Sequence, residues 1–407
     1  DAFTGSDPAD VAQSTKSDIA VHFSSDILQV PSGYGTIASA IAAAQPYDII
    51  QITAGTYTEA GLTIDKELTF VGEAPNTTII QAHANYDAAS DRVFITDYGL
   101  ETVKFYNLTI RHGKHTYAAG VFSKAAGISA RCNLEMYNCI VTKNKSTEQQ
   151  AAGIYCSGDL ILDNCLISDN VVENGGDVWG SGLYFEGKVL LITNCTISGN
   201  IIELSNSLTS SSGAGIIASA DIAKIVNTTI SGNSCVGGDD TYGGGIKLTA
   251  TEATLKNCII YGNTATDGAD IHTYDVDRTL NAYHCIIGNT ATYTGGPAIN
   301  GDNVNVSSAD PLLEALADNG GTSYTCALQA GSPAINAGLE DDDTPDTDQR
   351  GFTACGTHDI GAFEFNGDNC QLIAYNSSVF NESDNDDGSI SNSITITYSN
   401  DNEQADR

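Results

Sequence analysis

Apolar residues recur two apart through the middle of the chain, and the phase of that alternation shifts at one recurring position. Aligned on Asn107, Asn138, Asn164, Asn194, Asn227, Asn257 and His284, the segments repeat at spacings of 31, 26, 30, 33, 30 and 27 residues. Four positions before each anchor stand Val103, Leu134, Leu160, Leu190, Ala223, Ala253 and Leu280, and two before it Phe105, Met136, Leu162, Ile192, Ile225, Leu255 and Ala282. Mixed residues such as Lys104, Glu135 and Lys224 separate them, so each segment predicts a half-buried strand. After the anchor the apolar set moves to odd offsets: Leu108, Cys139, Cys165, Cys195, Cys258 and Cys285, then Ile110, Val141, Ile167, Ile197, Ile230, Ile260 and Ile287. A straight strand cannot change face, but a chain that turns a corner can, and Asn tolerates the left-handed backbone of a corner. Equivalent Asn residues stacked on one another also predict amide-to-amide bonding up the column.

A second Asn follows at 144, 170, 200, 233, 263 and 289 and reads as the next turn, while Gly127, Gly153, Gly182, Gly215 and Gly245 read as bends into a further strand. Short strands repeated in the same order must stack in parallel, each coil rising one strand spacing of ~4.8 Å. The pattern therefore predicts an all-β fold, a right-handed parallel β-helix solenoid of roughly ten coils. An antiparallel sandwich or a propeller accounts for alternating strands but not for an Asn-Cys-x-Ile corner at one register. Residues 35–44 read as a helix with Thr36 as its cap, covering the open apolar end. The expected order is an N-terminal extension (1–34), the β-helix (35–307), an irregular C-terminal closing module (308–370) and an acidic tail (371–407). In that tail Ile390, Ile394, Ile396 and Tyr398 alternate as one strand with no visible partner.

With 51 acidic against 17 basic residues the formal charge is −34, which argues against nucleic acid and anionic lipid as partners. No run approaches the ~20 apolar residues of a membrane span, and no signal peptide is visible at Asp1. Five of the eleven cysteines, Cys139, Cys165, Cys195, Cys258 and Cys285, hold one repeat position and read as stacked core thiols. Of the others, Cys326 and Cys355 form the preferred disulfide in an oxidising compartment.

The Asn194-Cys-Thr-Ile-Ser-Gly-Asn200 unit, Ile52-Thr-Ala-Gly-Thr-Tyr-Thr-Glu59, Asp348-Gln-Arg-Gly351 and Asp359-Ile-Gly-Ala-Phe-Glu364 together resemble secreted bacterial β-helix proteins of the choice-of-anchor Q family, within the pectate-lyase-like superfamily. The resemblance spans roughly residues 35–365. It implies a right-handed helix at the cell surface and carries no agreed catalytic set. The strand at 390–398 resembles the opening strand of a sandwich-type repeat of long bacterial adhesins.

Candidate chemistry is sparse. Arg111, His112, Lys114 and His115, with Arg131, Lys143 and Lys145 one coil later, form the densest basic group and would suit a uronate carboxylate, one member acting as base. The simpler reading is a solvated patch. Asp163, Asp169, Asp239, Asp240, Asp267 and Asp270 are the acids available for hydrolysis, but they fall at differing registers, as solubilising loop acids do. Trp179 and Tyr184 offer a sugar platform, and His284 reads as a variation at the end of the Asn series. No cofactor is required. Structural calcium would go to the turns Asp341–Asp348 or Asp384 and Asp386, against the reading of unliganded acidic turns. These features point first to a secreted, non-catalytic surface or adhesive protein that self-associates through Ile390, Ile394, Ile396 and Tyr398, with surface polysaccharide as a further partner. The alternative is a polysaccharide lyase or glycoside hydrolase acting on an acidic polysaccharide along the groove, with Arg111, His112 and Lys114 at its centre.

Overall fold

The computed structural model describes residues 26–116, 124–147, 150–173, 178–205, 210–238, 240–274, 278–292, 299–367, 382–384 and 390–392. It is a parallel β-helix. Its main sheet counts 26 strands, paired in parallel from coil to coil. Each full coil has an entry strand (Ile128–Ala130, for example), a pre-corner strand (Asn133–Tyr137) and a post-corner strand (Ile140–Thr142). The register read from sequence holds residue for residue: Val103, Leu134, Leu160, Leu190, Ala223, Ala253 and Leu280 are successive partners. All seven are buried, as are the five cysteines of the repeat. The corner residues Asn107 to His284 all have φ between 45° and 57°. Asn305 (φ 52°) is a further corner, opposite His284 in the last coil. Its spacing of 21 residues hides it from the sequence pattern.

The amide column is not where the sequence placed it. Among the described corner residues side-chain bonds run from rung to rung at the two ends of the series alone, Asn138 Nδ2 to Asn107 Oδ1 at 2.8 Å and Asn305 Nδ2 to His284 Nε2 at 2.8 Å. The continuous ladder belongs to the second Asn set. Asn144 donates to Asn170, Asn170 to Asn200, Asn200 to Asn233, and Asn233 to Asn263, each Nδ2–Oδ1 distance being 2.9–3.0 Å. Asn263 donates to Asp270 at 2.8 Å. These amides are buried, so each needs its partners inside the protein. All five donate in one direction, and the acceptor-only carboxylate of Asp270 ends the series. This ladder also explains the glycines. A Cβ on Gly182 would lie 2.6 Å from the Gly215 carbonyl and 2.9 Å from the Asn200 amide carbon, and Gly153, Gly215 and Gly245 are equally confined. Close approach, rather than a bend, selects glycine there.

Between coils the chain makes an excursion into two small sheets. One joins Lys114–His115, Lys145–Ser146, Val171–Glu173, Ile201–Glu203 and Ser234–Val236. The other joins Val178–Trp179, Ser210–Ser212 and Asp240–Tyr242. A minor core of Val172, Val178, Ile202, Leu204 and Cys235 fills the excursion. At the N-terminal end the helix Ile37–Ala43 buries Ile37, Ala40 and Ile41, with a reciprocal Thr36–Ser39 capping box. Glu59 accepts from the first two helical amides at 2.8 and 2.9 Å. The first strand, Ile27–Val30, precedes this helix, so the sheet begins earlier than the sequence pattern indicated.

The segment from about Asp310 to Gly367 does not simply close the last coil. It runs back along the corner as a strap, and the corner side chains are its docking points. Thr322 donates to Asn138 at 2.6 Å, Asn194 to the Thr347 carbonyl at 2.7 Å, and Asn257 to the Leu339 carbonyl at 2.9 Å. Thr196 donates to Gln349 at 2.6 Å, and His284 Nδ1 meets the Ala337 carbonyl at 2.8 Å. Buried Lys256 pairs with Asp341 (2.5 Å) and Asp343 (3.2 Å) of the strap, and Lys224 with Asp343 (2.5 Å). The Asp348 carboxylate receives the Arg350 guanidinium at 2.6 Å, and Gly361 packs its bare Cα on Thr229 and Ile259. Three of the five aspartates in the turn Asp341–Asp348, namely Asp341, Asp343 and Asp348, thus meet side-chain cations.

Two further expectations change. Cys326 is a free buried thiol while Cys355 is disulfide-bonded, so the Cys326–Cys355 pairing is wrong; the partner of Cys355 lies outside the described residues. The strand at Ile390 is not alone, because Ile390–Asn392 pairs antiparallel with Glu382–Asp384. Ile394, Ile396, Tyr398, Asp386 and Asp239 lie outside the described residues. Replacing Asn200 with Ala should lower the unfolding free energy by about 3 kcal/mol, since it orphans buried groups on two rungs. Denaturant titration of the variant against the parent measures this.

Candidate functional site

The entry strands present a continuous outward column. By register it runs Ser129, Tyr155, Tyr184, Ile217, Lys247 and His272. Facing it, the three-stranded excursion sheet and its flanking bridges supply Gln150, Trp179, Ser212, Tyr242 and Asp267. The two columns line a seam parallel to the helix axis. One rung occupies ~4.8 Å, so Tyr155 to His272 spans ~20 Å.

At one end the seam holds a carboxylate in an aromatic setting. Glu186 accepts from Lys124 at 2.6 Å, from the Tyr155 hydroxyl at 3.0 Å and from the Tyr184 hydroxyl. The Lys124 ammonium also lies 4.8 Å from both tyrosine ring centres, and Trp179 is 6.4 Å from the Tyr184 ring. Burial would raise the Glu186 carboxyl, but the bonds from Lys124, Tyr184 and Tyr155 outweigh it and hold the group below its ordinary value. Burial, with the Glu186 charge beside them, pushes both phenols up. Glu186 is therefore an anion and the tyrosines are neutral donors across the physiological range.

Two rungs on lies a basic centre. Lys247 Nζ is 2.9 Å from Ser212 Oγ and 5.1 Å from the Tyr242 ring centre. The neighbouring His272 is fully buried, 4.9 Å from the Tyr242 ring, and neither ring nitrogen has a hydrogen-bond partner. Asp267 Oδ2 is 3.8 Å from its Nε2. Burial pushes the Lys247 ammonium down, and burial with the Lys247 charge brings His272 down to about 4. A desolvated lysine beside a neutral imidazole gives up its proton more readily than an ordinary lysine and can then act as a proton acceptor.

The basic group singled out in the sequence is assembled elsewhere. Arg111 lies on a post-corner strand with Nε on Gln81 at 3.0 Å. His112 occupies the left-handed turn position (φ 57°) that Gly199 holds in a later coil, with Nδ1 3.1 Å from the His83 carbonyl. Lys114 reaches the Asp87 carbonyl at 2.8 Å, and Lys145 bridges Asp87 (2.8 Å) and Glu173 (2.9 Å). Lys114 and Lys145 do meet, but at Asp87, whose backbone carbonyl holds Lys114 and whose carboxylate holds Lys145. Arg131 lies over the Tyr98 ring at 4.3 Å. Of the candidate acids, Asp267 joins the seam, Asp270 ends the ladder and Asp169 fills a left-handed turn. Asp163 lies on a pre-corner strand and Asp240 in the three-stranded sheet. Trp179 and Tyr184 are adjacent, ring centres 6.4 Å apart, with Trp179 part-exposed and Tyr184 buried. Lys247, His272, Tyr242 and Glu186 were not found from sequence; the available signal was the position of Lys247 directly after Gly245-Ile246, the offset at which Tyr155, Tyr184 and Ile217 also stand. Among the described residues no group of three or more His, Cys, Asp or Glu is arranged to hold a metal. Asp384 lies on the strand Glu382–Asp384. No described helix is long and apolar enough to cross a membrane.

No protein-family model matches the sequence, and no curated protein matches it. Solved structures with a similar course of chain include the pectate lyase Pel9A (TM-score 0.41, 13% identity, covering 81% of this chain and 90% of that one). A pectin methylesterase from Aspergillus niger gives TM-score 0.30 at 16% identity, covering 72% and 92%. Pectin methylesterase PemA from Erwinia chrysanthemi gives 0.27 at 14%, covering 68% and 92%. Likeness at this level concerns architecture and carries no argument about chemistry. A direct check on the seam is the titration of His272: its imidazole resonances should show the neutral form down to about pH 4, well below the ordinary histidine range. Titration near the ordinary value would mean that this ring is hydrated.

Proposed function

We propose that the protein acts on an acidic polysaccharide laid along the seam of the entry strands, as a lyase with Lys247 as proton acceptor. The observation that supports this reading most is the column Tyr155, Tyr184, Ile217, Lys247, His272, in which Lys247 and Ile217 are part-exposed on a face pointing away from the main core while Tyr155, Tyr184 and His272 are buried. The part-exposed Trp179 ring suits the apolar face of a sugar ring. The basic centre suits the chemistry. The Lys247 amine takes the proton from the carbon beside the uronate carboxyl, the electron pair of that C–H bond forms the new C=C bond, and the glycosidic C–O bond breaks, its oxygen taking a proton back from the Lys247 ammonium or from water. Hydrolysis is less well served, because the acids of the seam, Glu186 and Asp267, stand on different rungs in separate settings. A secreted location and the resemblance to the choice-of-anchor Q family belong to the same proposal. On this reading the strap holding Asp348-Gln-Arg-Gly351 and Asp359–Glu364 is a brace remote from the chemistry.

The second reading, a non-catalytic surface protein, is favoured by one observation: many lysines are spent in internal pairs, as Lys104–Glu135, Lys124–Glu186 and Lys145–Asp87 are. The test is to incubate the full chain with polygalacturonate or alginate and follow the ultraviolet absorbance of unsaturated uronate ends. Lys247→Met should cut the rate at least ~100-fold with an unchanged melting transition. The parent rate should rise with pH as Lys247 loses its proton, with a midpoint below that of an ordinary lysine. Binding without product would replace catalysis with the second reading.

A further inference from the structure

The last turn of the strap gathers more negative charge than its cations can answer. Asp348, Asp359 and Glu364 are all buried, each at 2% exposure. Arg350 is taken by Asp348, with Nε at 2.8 Å and Nη2 at 2.6 Å from Oδ2, and its other bonds run to the Asn319 and Glu364 carbonyls. Asp359 and Glu364 are left with one imidazole, His358, whose Nδ1 lies 3.1 Å from Glu364 Oε1. The two carboxyls are knitted into one turn. The Phe365 amide donates to Asp359 Oδ2 at 2.5 Å, and the Asp359 amide lies 3.1 Å from both Glu364 oxygens. The Asn336 amide reaches Asp359 Oδ1 at 2.7 Å, and Asp348 Oδ2 accepts from the Glu364 amide at 2.9 Å. From the solenoid the turn meets Thr229, Asn257 and Ile259, none of them charged, and the Tyr261 ring packs against the same apolar cluster. Buried carboxyls so close together, with one imidazole to share, favour keeping a proton. Burial and then the Asp359 charge push the Glu364 carboxyl up to about 7, against the bonds it accepts from the Asp359 amide and His358.

The same turn seats the strap on the solenoid. Gly361 donates to the Asn257 carbonyl at 2.9 Å, and Ala362 to Thr229 Oγ1 at 3.0 Å. Ile360 and Phe363 join Ile259 and Ile286 in one buried cluster. We infer that the turn at 359–365 is a proton-operated latch on the strap: it stays seated while Glu364 carries a proton, and loss of that proton loosens it and uncovers the apolar side chain of Ile259. In the open turn the carboxyl regains its ordinary value of 4.5. The extra hold is therefore complete below that value and is lost as pH rises through about 7. Asp341 and Asp343, paired with Lys256 and Lys224, lie below the ordinary carboxylate range. Their share of the strap's hold is lost in acid instead, so the two ends of the pH scale act on different parts of the strap.

The experiment is hydrogen exchange on the full chain, read at the amides of Ile360, Gly361 and Ala362 and corrected for the intrinsic pH dependence of exchange. In the parent their protection should fall roughly tenfold between pH 6 and pH 8.5. The ladder amides of Asn200 and Asn233, which bond within the solenoid, should show no such fall. Glu364→Gln keeps the shape and has no proton to lose, so its protection should be level across the range. His358→Gln removes a group that favours the charged carboxyl, so the midpoint of the fall should move to higher pH. Level protection in the parent, or the same fall in Glu364→Gln, overturns the latch. Should Glu364→Gln fail to seat the strap at any pH, the parent and His358→Gln decide: a midpoint that does not move in His358→Gln overturns it equally.

Discussion

Every residue in a coil must tolerate its equivalent one strand spacing away, and the side chain that meets this constraint inside the protein is the second Asn of the repeat. A buried amide is costly unless its donor and acceptor sites are filled. A column of amides fills them from within, each carbonyl oxygen taking the amide of the preceding rung and each amide reaching the next carbonyl. Asn144, Asn170, Asn200, Asn233 and Asn263 do this without a break, and Asp270 ends the column with a group that has nothing to donate. The ladder fixes the distance between the end of the post-corner strand and the start of the entry strand of the same coil, Asn144 standing against Gly127 and Asn200 against Gly182. That leaves no room for a Cβ on Gly127, Gly153, Gly182, Gly215 or Gly245. The position of the entry strands, and so of the outward column they carry, follows from this contact.

The corner Asn residues solve a different problem. Their left-handed backbone turns the chain, and their side chains are then available on the outside of the bend. The strap uses that availability, meeting Asn138 through Thr322 and then His284, Asn257 and Asn194 through Ala337, Leu339 and Thr347, and placing Asp341 and Asp343 on Lys224 and Lys256. The outward residues just past the corner, Thr196, Thr229, Ile259 and Ile286, are covered by it. One lateral face of the solenoid is thereby closed, while the entry face keeps its column of Tyr155, Tyr184, Ile217 and Lys247. At the N-terminal end, the edge strand Ile27–Val30 is already engaged: the Gln29 carbonyl accepts from Gly33 and Tyr34, and the cap helix packs alongside.

Charge decides how the seam differs from the rest of the surface. The chain is strongly acidic, and several described basic residues outside the seam are closed off by carboxylates or backbone carbonyls, as Lys114 and Lys145 are by Asp87. Lys247 has a serine hydroxyl and an aromatic face instead, and its charge is disfavoured by burial rather than secured by a counter-ion. A group in that condition is available to exchange a proton, whereas one held in an ion pair is not.

The solenoid was legible in the sequence because its signals are local and repeated. Alternation, the change of phase at Asn107 through His284, and the cysteine column each reappear every coil, and registers such as Leu134 against Leu160 follow by simple alignment. What the sequence could not supply was which of two Asn sets faces inward, since both recur at similar spacing and only the packed coil distinguishes the inside of a turn from the outside. Nor could it place the strap, whose partners lie far away along the chain, as Thr322 does from Asn138. The seam fell between these cases. Trp179 and Tyr184 stood out as aromatics, but Lys247, His272 and Glu186 are ordinary residues until parallel stacking carries them into one column and burial removes water from them. Sequence set the period of the fold, because each strand needs only its own copies to pack; tertiary structure alone set the chemistry, because desolvation and charge pairing depend on neighbours that are never adjacent in the chain.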